Sequence, residues 1–412
     1  MTQTLTEIDE ARRIVLEHAG ALGGEPVALA DAQGRVLAVD VDSPEAVPPF
    51  DNSAMDGFAL RSSDVAGAGP RTPVALLIAG ESRAGHPWPQ TVGPAQAVAI
   101  STGAMLPAGA DGVVAVEQTH TRDGHVEVLT GVAPGDYVRL AGEDIRAGQR
   151  VLARGTRLGA AELGVLASLG RAEVGCSRRP RVAVITTGDE LVALGVELTP
   201  GAIHDANAYS VPALAAQLGA ELRPVATVPD EAQATRRALE SALADADVVV
   251  VCGGVSVGVH DHVRPTLAAL GVSEHFWGVA LRPGKPTWFG TCGETLVFGL
   301  PGNPVSAMVT FTLFVAPALD ALSGAVVSVR RSGARITRDY AKAPGRAHAV
   351  RCRLLLDEHG WQAEPTGDQR SHILTSMLDA DALAIIPTAS GDVRAGENVE
   401  VQLLARMWPG LR

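Results

Sequence analysis

Aromatic residues make up only 4% of this 412-residue chain, too few to build stacking platforms for nucleic-acid bases. Long lysine/arginine blocks are absent and the formal net charge is −12, which argues against non-specific nucleic-acid binding. An anionic ligand would therefore be held locally, by backbone N–H groups and a few placed cations. The four cysteines, Cys176, Cys252, Cys292 and Cys352, form no Cys-x-x-Cys pair. That scatter suits a reducing compartment and offers no zinc site. The first ten residues lack the basic start and apolar core of a secretory signal, and no apolar stretch reaches the roughly 18 residues of a membrane span. A cytoplasmic protein, partnered by neither membrane nor nucleic acid, is expected.

With 46% hydrophobic and 19% charged residues over 412 positions, the chain is too long for one core and reads as two to four globular domains. Its 45 glycines and 26 prolines cut it into many short elements. Residues 5–19 carry Leu5, Ile8 and Val15 on one face with charges opposite, which predicts an amphipathic helix. From about 43 to 140, short Val/Ile/Ala runs at 74–79, 97–100, 112–116 and 125–129 are broken by Gly and Pro and predict a β-rich module. Residues 159–170 predict a short helix ended by glycine. Continuous apolar strands are then expected at 181–187, 225–228, 247–252 and 296–300, with helices at about 207–218 and 230–244. Strands buried on both faces and alternating with helices predict a parallel α/β sheet, whose ligands lie beyond the strands' carboxyl ends. From about 328 the alternation of a small β domain returns, as at 351–356.

The candidate chemistry gathers at loops. Asp51 and Asp56 flank small residues after the proline-rich approach Pro44-Glu45-Ala46-Val47-Pro48-Pro49, where a tight turn capped by Asp is the plainer reading. Ser101-Thr102-Gly103 supplies hydroxyls in a Gly/Pro loop. Thr186-Thr187-Gly188-Asp189-Glu190 follows a strand, which aims Glu190 into the rim and gives Asp189 a capping role. Gly253-Gly254-Val255-Ser256-Val257-Gly258 also follows a strand. Its glycines allow close backbone approach to an anion, although the Gly-Lys-Ser/Thr ending of a P-loop is missing. Asp261 lies just beyond, where a carboxylate could hold Mg²⁺ bridged to phosphate. His260-Asp261-His262 has no evident third ligand and is not read as a transition-metal site. Arg282-Pro283-Gly284-Lys285-Pro286 stiffens two cations with two prolines, a presentation suited to phosphate or another oxyanion. Asp205 or Asn207 reads as an N-cap for the helix that follows.

The order of these segments carries more than any one of them. Pro-Pro-Phe-Asp-Asn-Ser-Ala-Met-Asp-Gly (48–57), Ser-Thr-Gly (101–103), Gly-Glu-Asp (142–144), Thr-Thr-Gly-Asp-Glu (186–190), Gly-Gly-Val-Ser-Val-Gly (253–258), Pro-Gly-Lys-Pro (283–286) and Leu-Pro-Gly-Asn-Pro (300–304) succeed one another. The chain thereby resembles the molybdopterin molybdenumtransferase family, the bacterial MoeA proteins and the E domain of gephyrin, over nearly its whole length. The resemblance implies an α/β multidomain fold. A helical and linker domain would span 1–42 and 141–172, with an inserted β-rich module at 43–140. A central molybdopterin-binding-like parallel α/β domain would span 173–326, and a small C-terminal β-barrel 327–412. It further implies an elongated homodimer whose active site lies between the α/β domain of one subunit and the β module of the other. The implied reaction inserts molybdenum from molybdate into adenylylated molybdopterin, with Mg²⁺, releasing AMP. Implied partners are the molybdopterin adenylyltransferase and apo-molybdoenzymes.

Carried over by motif, the implied catalytic positions are Asp56, Thr102, Asp144, Glu190, Asp261 and Lys285, with Asp261 and Glu190 holding Mg²⁺. Arg282 and the Gly253, Gly254, Ser256 and Gly258 backbone would bind anions. Pro301 and Pro304 would shape the pocket floor, and Ser306, Arg351 and Ser371 align with oxyanion-binding positions. The chain departs from the family where Arg282 replaces Lys or Gln, where Val259-His260-Asp261-His262 replaces Glu-Ala-Asp-Tyr, and where Arg370 precedes Ser371. A specialised paralogue, altered in partner or metal preference, would carry such changes. An adenylyltransferase-like paralogue and a non-catalytic cofactor-binding scaffold are the alternative readings. Against the first, the loop reads Gly-Gly-Val-Ser where adenylylating relatives have Gly-Gly-Thr-Gly.

Overall fold

In the computed structural model, residues 4–254, 261–327 and 330–404 are described. The first helix, α1 (Ile8–His18), buries Ile8, Ala11 and Val15 at helical spacing. Its face also buries Arg12, which donates to Leu313 O at 3.3 Å and Gln402 Oε1 at 3.2 Å and pairs with Asp9. These contacts pack α1 against the core of the central α/β domain. The linker unit itself is built by pairing Gly24–Ala28 with Glu173–Ser177 and Val41–Asp42 with Arg150–Leu152.

The chain enters and leaves the β module side by side. Ser43 N donates to Gln149 O, and Val47 bridges Ile145. Inside the module β1 (Gly57–Leu60), β2 (Val74–Ser82), β3 (Gln96–Ile100), β4 (Gly112–Ala115), β5 (Thr119–Arg122) and β6 (His125–Val128) form one sheet in the order β4-β1-β3-β2-β6-β5. Helix α2 (Ala160–Ser168) returns to the linker unit, where Glu162 accepts the Gly159 N–H and Gly170 ends the element at φ +68°.

The central sheet is parallel at its heart. β7 (Arg181–Thr187) pairs with β8 (Ala226–Val228) and β9 (Val248–Cys252), and β9 pairs with β12 (Thr295–Leu300), all parallel. Its alternating residues enter two cores. Val182, Val184, Val248 and Val250 join α1, α3 (Asn207–Gln217) and α6 (Pro304–Leu322). Ala183, Ile185, Val249 and Val251 join α4 (Ala232–Asp245) and α5 (Val263–Ala269). The sequence reading missed two antiparallel strands, β10 (Ser273–Trp277) and β11 (Trp288–Cys292), which extend the sheet beyond β12. The expectation that no apolar stretch reaches spanning length also needs correction. Helix α6 is 19 residues long with mean hydropathy 1.7. Ser306, Thr310, Thr312 and Asp320 interrupt its apolar run in the sequence, and 72% of its apolar window is buried inside the protein, as befits a core helix.

The C-terminal strands β13 (Arg331–Ile336), β14 (Ala347–Asp357), β15 (Gly360–Pro365), β16 (Ala382–Ile386) and β17 (Asn398–Leu403) close a barrel in the order β14-β15-β13-β17-β16-β14. Leu281–Arg282 adds in parallel to β14, with Arg282 opposite His348.

Candidate functional site

At the carboxyl ends of β7, β9 and β12 the backbone is packed too tightly for side chains. Gly253 has φ +94°, and a Cβ there would lie 2.7 Å from Thr187 O; at Gly254, φ +60°, it would lie 2.5 Å from Val263 Cγ2. Gly302 approaches the Gly253 Cα, and Pro304 starts α6 immediately after. Pro301 and Pro304 thus bracket the turn against which Gly253 rests. Ser306 is buried in the first turn of α6. Ser256, Gly258 and His260 lie outside the described residues.

Two carboxylates border this crevice. Glu190 is exposed and folds its carboxylate back over Gly188, where a Cβ would meet Oε2 at 2.5 Å. Asp261 is partly buried and accepts the Val263 N–H at 3.3 Å, one residue pair from the Gly254 contact. Asp189 instead accepts the Asp230 N–H at 2.9 Å, tying the β7 turn to the loop before α4. Asp205 is buried. It receives the Ala208 N–H and the hydroxyls of Thr186 and Thr227, so it caps α3 as expected. Asn207 does something else: its amide donates to Gly302 O at 2.7 Å.

The Arg282–Lys285 loop seats on α6. Gly284, φ +120°, faces Thr310 so closely that a Cβ would be 2.4 Å from its methyl group. Lys285 and Arg282 are both exposed. Of the 34 cationic Lys and Arg residues only Lys285 and Lys342 are lysines. Lys342 is buried with Nζ donating to Ala343 O, Thr388 O and Ser390 O, an arrangement that matches an ammonium's three donors. Lys285 has no such partners among the described residues.

Beside Arg282 stands a residue that the sequence reading passed over. His348 is buried and its Nδ1 lies 3.1 Å from the Tyr340 hydroxyl. Burial, with Arg282, Lys342 and Arg346 nearby, pushes its pKa down to about 4. Only the register of β14 against Leu281–Arg282 could have shown it. Arg351, expected to touch an oxyanion, is held by its own protein surroundings. It is 1% exposed, donates to Ser376 Oγ, Gln369 O, Asp368 O and Arg370 O, and so holds the 366–376 segment. Burial lowers its pKa to about 10, which leaves it cationic. Ser371 is half-buried on that segment, and Arg370 pairs with Asp368 at 2.7 Å.

The β module brings its own pair together. Asp56 Oδ1 accepts the Thr102 N–H at 2.7 Å and hydroxyl at 3.0 Å. Both bonds hold the Asp56 carboxyl below the ordinary carboxylate range, the backbone donor most. Asp51 accepts the Ala141 N–H at 2.7 Å, anchoring the loop on which exposed Asp144 is carried. Around Asp56 the apolar side chains Phe50, Met105, Val116, Tyr137 and Leu140 are exposed. Within one chain, the described hydrogen bonds and apolar clusters leave this pair apart from Glu190, Asp261 and Lys285.

Three regions match family models: the MoeA N-terminal region (domain I and II) over residues 6–170, a probable molybdopterin binding domain over 183–321, and the MoeA C-terminal region (domain IV) over 333–404. A protein of Haemophilus influenzae named molybdopterin molybdenumtransferase is 37% identical over 96% of this chain and 98% of its own. The chain belongs to the MoeA family. A Bacillus subtilis MoeA relative of the same name is 34% identical over 98% of this chain and 95% of its own. The crystal structure of a Pyrococcus horikoshii molybdopterin biosynthesis MoeA protein superposes with a TM-score of 0.85 at 30% identity, covering 97% of this chain and all of that one. The MoeA fold of helical, β-rich, α/β and barrel units is therefore the fold of this protein.

The donor set fits a hard cation. Among the described residues no group of three or more His, Cys, Asp or Glu converges, as a transition-metal cage would require. Mg²⁺ is held by one or two carboxylates together with substrate phosphates, the donor type that Glu190 and Asp261 each carry.

Proposed function

We propose that this MoeA protein inserts molybdenum from molybdate into adenylylated molybdopterin in molybdenum cofactor biosynthesis, with release of AMP. The observation that carries the reading is Lys285, an exposed ammonium on a proline-stiffened loop seated on α6, the helix that leaves the glycine-lined strand ends. Molybdate and the pyrophosphate linkage are both anions. Lys285, Arg282 and the Gly253–Gly254 backbone would bind and orient them. Mg²⁺, held by Asp261 and Glu190, would supply charge neutralisation at the phosphates. The protein needs no covalent intermediate: the substrate's two dithiolene thiols replace one molybdate oxygen, which leaves with their protons as water, and a water oxygen takes the place of the cleaved phosphoanhydride bond as AMP departs.

The Asp56–Thr102 pair enters through a second subunit in this reading. The exposed apolar residues around Asp56 suit burial against another copy, and the site is then shared between a β module and the opposite α/β domain. Apo-molybdoenzymes and the molybdopterin adenylyltransferase are the partners, in the cytoplasm.

The test measures AMP release from adenylylated molybdopterin with MgCl₂, with and without molybdate. Molybdate-dependent release, with a product that reconstitutes an apo-molybdoenzyme, is expected. Binding without release would favour a scaffold. Mixing Asp56→Ala with Lys285→Ala subunits should restore partial activity, and no restoration would place the site within one chain.

A further inference from the structure

A buried histidine sits on the seam between the α/β domain and the barrel. Leu281–Arg282 runs parallel to the start of β14, with Arg282 in register with His348 and Ala347 N donating to Ala280 O at 2.7 Å. His348 is 5% exposed, whereas Arg282 is open to solvent. On the other flank the neighbour in the sheet is Ile386 of β16, which carries no charge. The Tyr340 ring meets the imidazole edge-on, with centroids 5.7 Å apart at 84°, and its hydroxyl lies 3.1 Å from Nδ1. The charges that act on the ring are Arg282 first, then Lys342 and Arg346, and all three are cations.

A group so placed takes a proton when an anion arrives. Burial and the three cations keep the imidazole neutral in the free protein. An oxyanion on Arg282 would offset the first of those charges and add negative charge beside the ring. The hydrogen bond to Tyr340 survives the change, because a phenol donates to a neutral ring nitrogen and accepts from a protonated one. Burial holds the Tyr340 phenol above its ordinary pKa, against Arg282 and Arg351, so the hydroxyl turns without dissociating. We infer that His348 is the proton acceptor linked to oxyanion binding at Arg282, with Tyr340 holding the ring as a positioning residue in both states. This inference rests on the reading that Arg282 binds the substrate's anions. It adds that the barrel sets the pH range over which such an anion is held. By linkage the protonated ring favours the anion, so affinity rises as pH falls toward the free ring's value of about 4.

Sulfate is the probe, because it stays a dianion over this window while molybdate takes up protons itself. The full-length protein is titrated calorimetrically with sodium sulfate in buffers of different ionisation enthalpy. Affinity should rise about tenfold from pH 7 to pH 5, with net proton uptake at pH 5. By NMR, the His348 ring should titrate at higher pH with saturating sulfate than without it. His348→Gln should remove the rise in affinity, and Tyr340→Phe should reduce it. A ring whose titration sulfate does not move overturns the inference, whether or not either variant folds. A rise that persists in folded His348→Gln also overturns it, by assigning the proton to another group. Arg282→Gln tests the underlying reading separately. Wild-type protein that binds sulfate no better than Arg282→Gln would remove Arg282 from anion binding, and the linkage with it.

Discussion

Thr102 gives Asp56 both of its hydrogen bonds, from N–H at 2.7 Å and from hydroxyl at 3.0 Å, across 46 residues of sequence. The two donors favour the ionised carboxylate, so Asp56 stays charged as pH falls into the range where ordinary carboxylates protonate. Asp56→Asn keeps the shape and removes the charge. It should lower AMP release by about 100-fold with little change in Tm, since the group is exposed. Thr102→Val should shift the acid limb of the pH–rate profile upward. A profile that does not move would disconnect Thr102 from the ionisation of Asp56.

Lys285 and Lys342 are the only lysines, which turns amine chemistry into a site-specific probe. Acylation of the native protein should mark Lys285 and spare buried Lys342, and saturating substrate should protect Lys285. Lys285→Ala should lose most activity while keeping the fold. Full labelling of Lys285 in the presence of bound substrate would show that the ammonium does not face it.

Lys342→Arg should behave differently. A planar guanidinium cannot reproduce three bonds converging on Ala343 O, Thr388 O and Ser390 O. A loss of about 1–3 kcal/mol in chemical denaturation is expected. A variant as stable as the parent would mean that the carbonyl cage tolerates other donors.

His348 makes the barrel acid-sensitive. Its folded pKa of about 4 lies below the ordinary histidine value, so the unfolded chain binds the proton more tightly. The stability contribution is complete above roughly pH 6.5 and is lost as pH falls toward the folded value. A decline of about 1–3 kcal/mol over that window is expected, and His348→Gln should flatten it. NMR titration should find the ring neutral at pH 5.5. An imidazole that titrates normally would show that Arg282 and Arg346 do not press upon it.

Arg351→Ala should cost about 3 kcal/mol of stability, because it leaves the 366–376 carbonyls without their donor. Lost activity with unchanged Tm would instead place Arg351 at the anion site.

Much of the fold was legible because burial on both sheet faces writes continuous apolar runs, as at Val248–Cys252. The antiparallel strands 273–277 and 288–292 were hidden, since Glu274 and His275 in the first and Gly290 in the second leave no continuous apolar run. The candidate residues were legible as types, but not their groupings. Nothing in the sequence tells that Arg351 turns inward or that Asn207 reaches Gly302 instead of capping its helix. Those facts depend on tertiary contacts with segments 17 to 95 residues away. Membership of α1 in the α/β core was likewise unreadable, because an apolar helical face does not name the surface that covers it.

The paired strands at Val41–Asp42 and Arg150–Leu152 join the β module to the rest of the protein through neighbouring entry and exit points. A cassette attached in this way can be exchanged whole without cutting any other part of the chain. Variation in the surface around Asp56 is thereby uncoupled from the packing that supports Lys285. Evolution could retune what the module meets while the anion-binding half keeps its own folding unit intact.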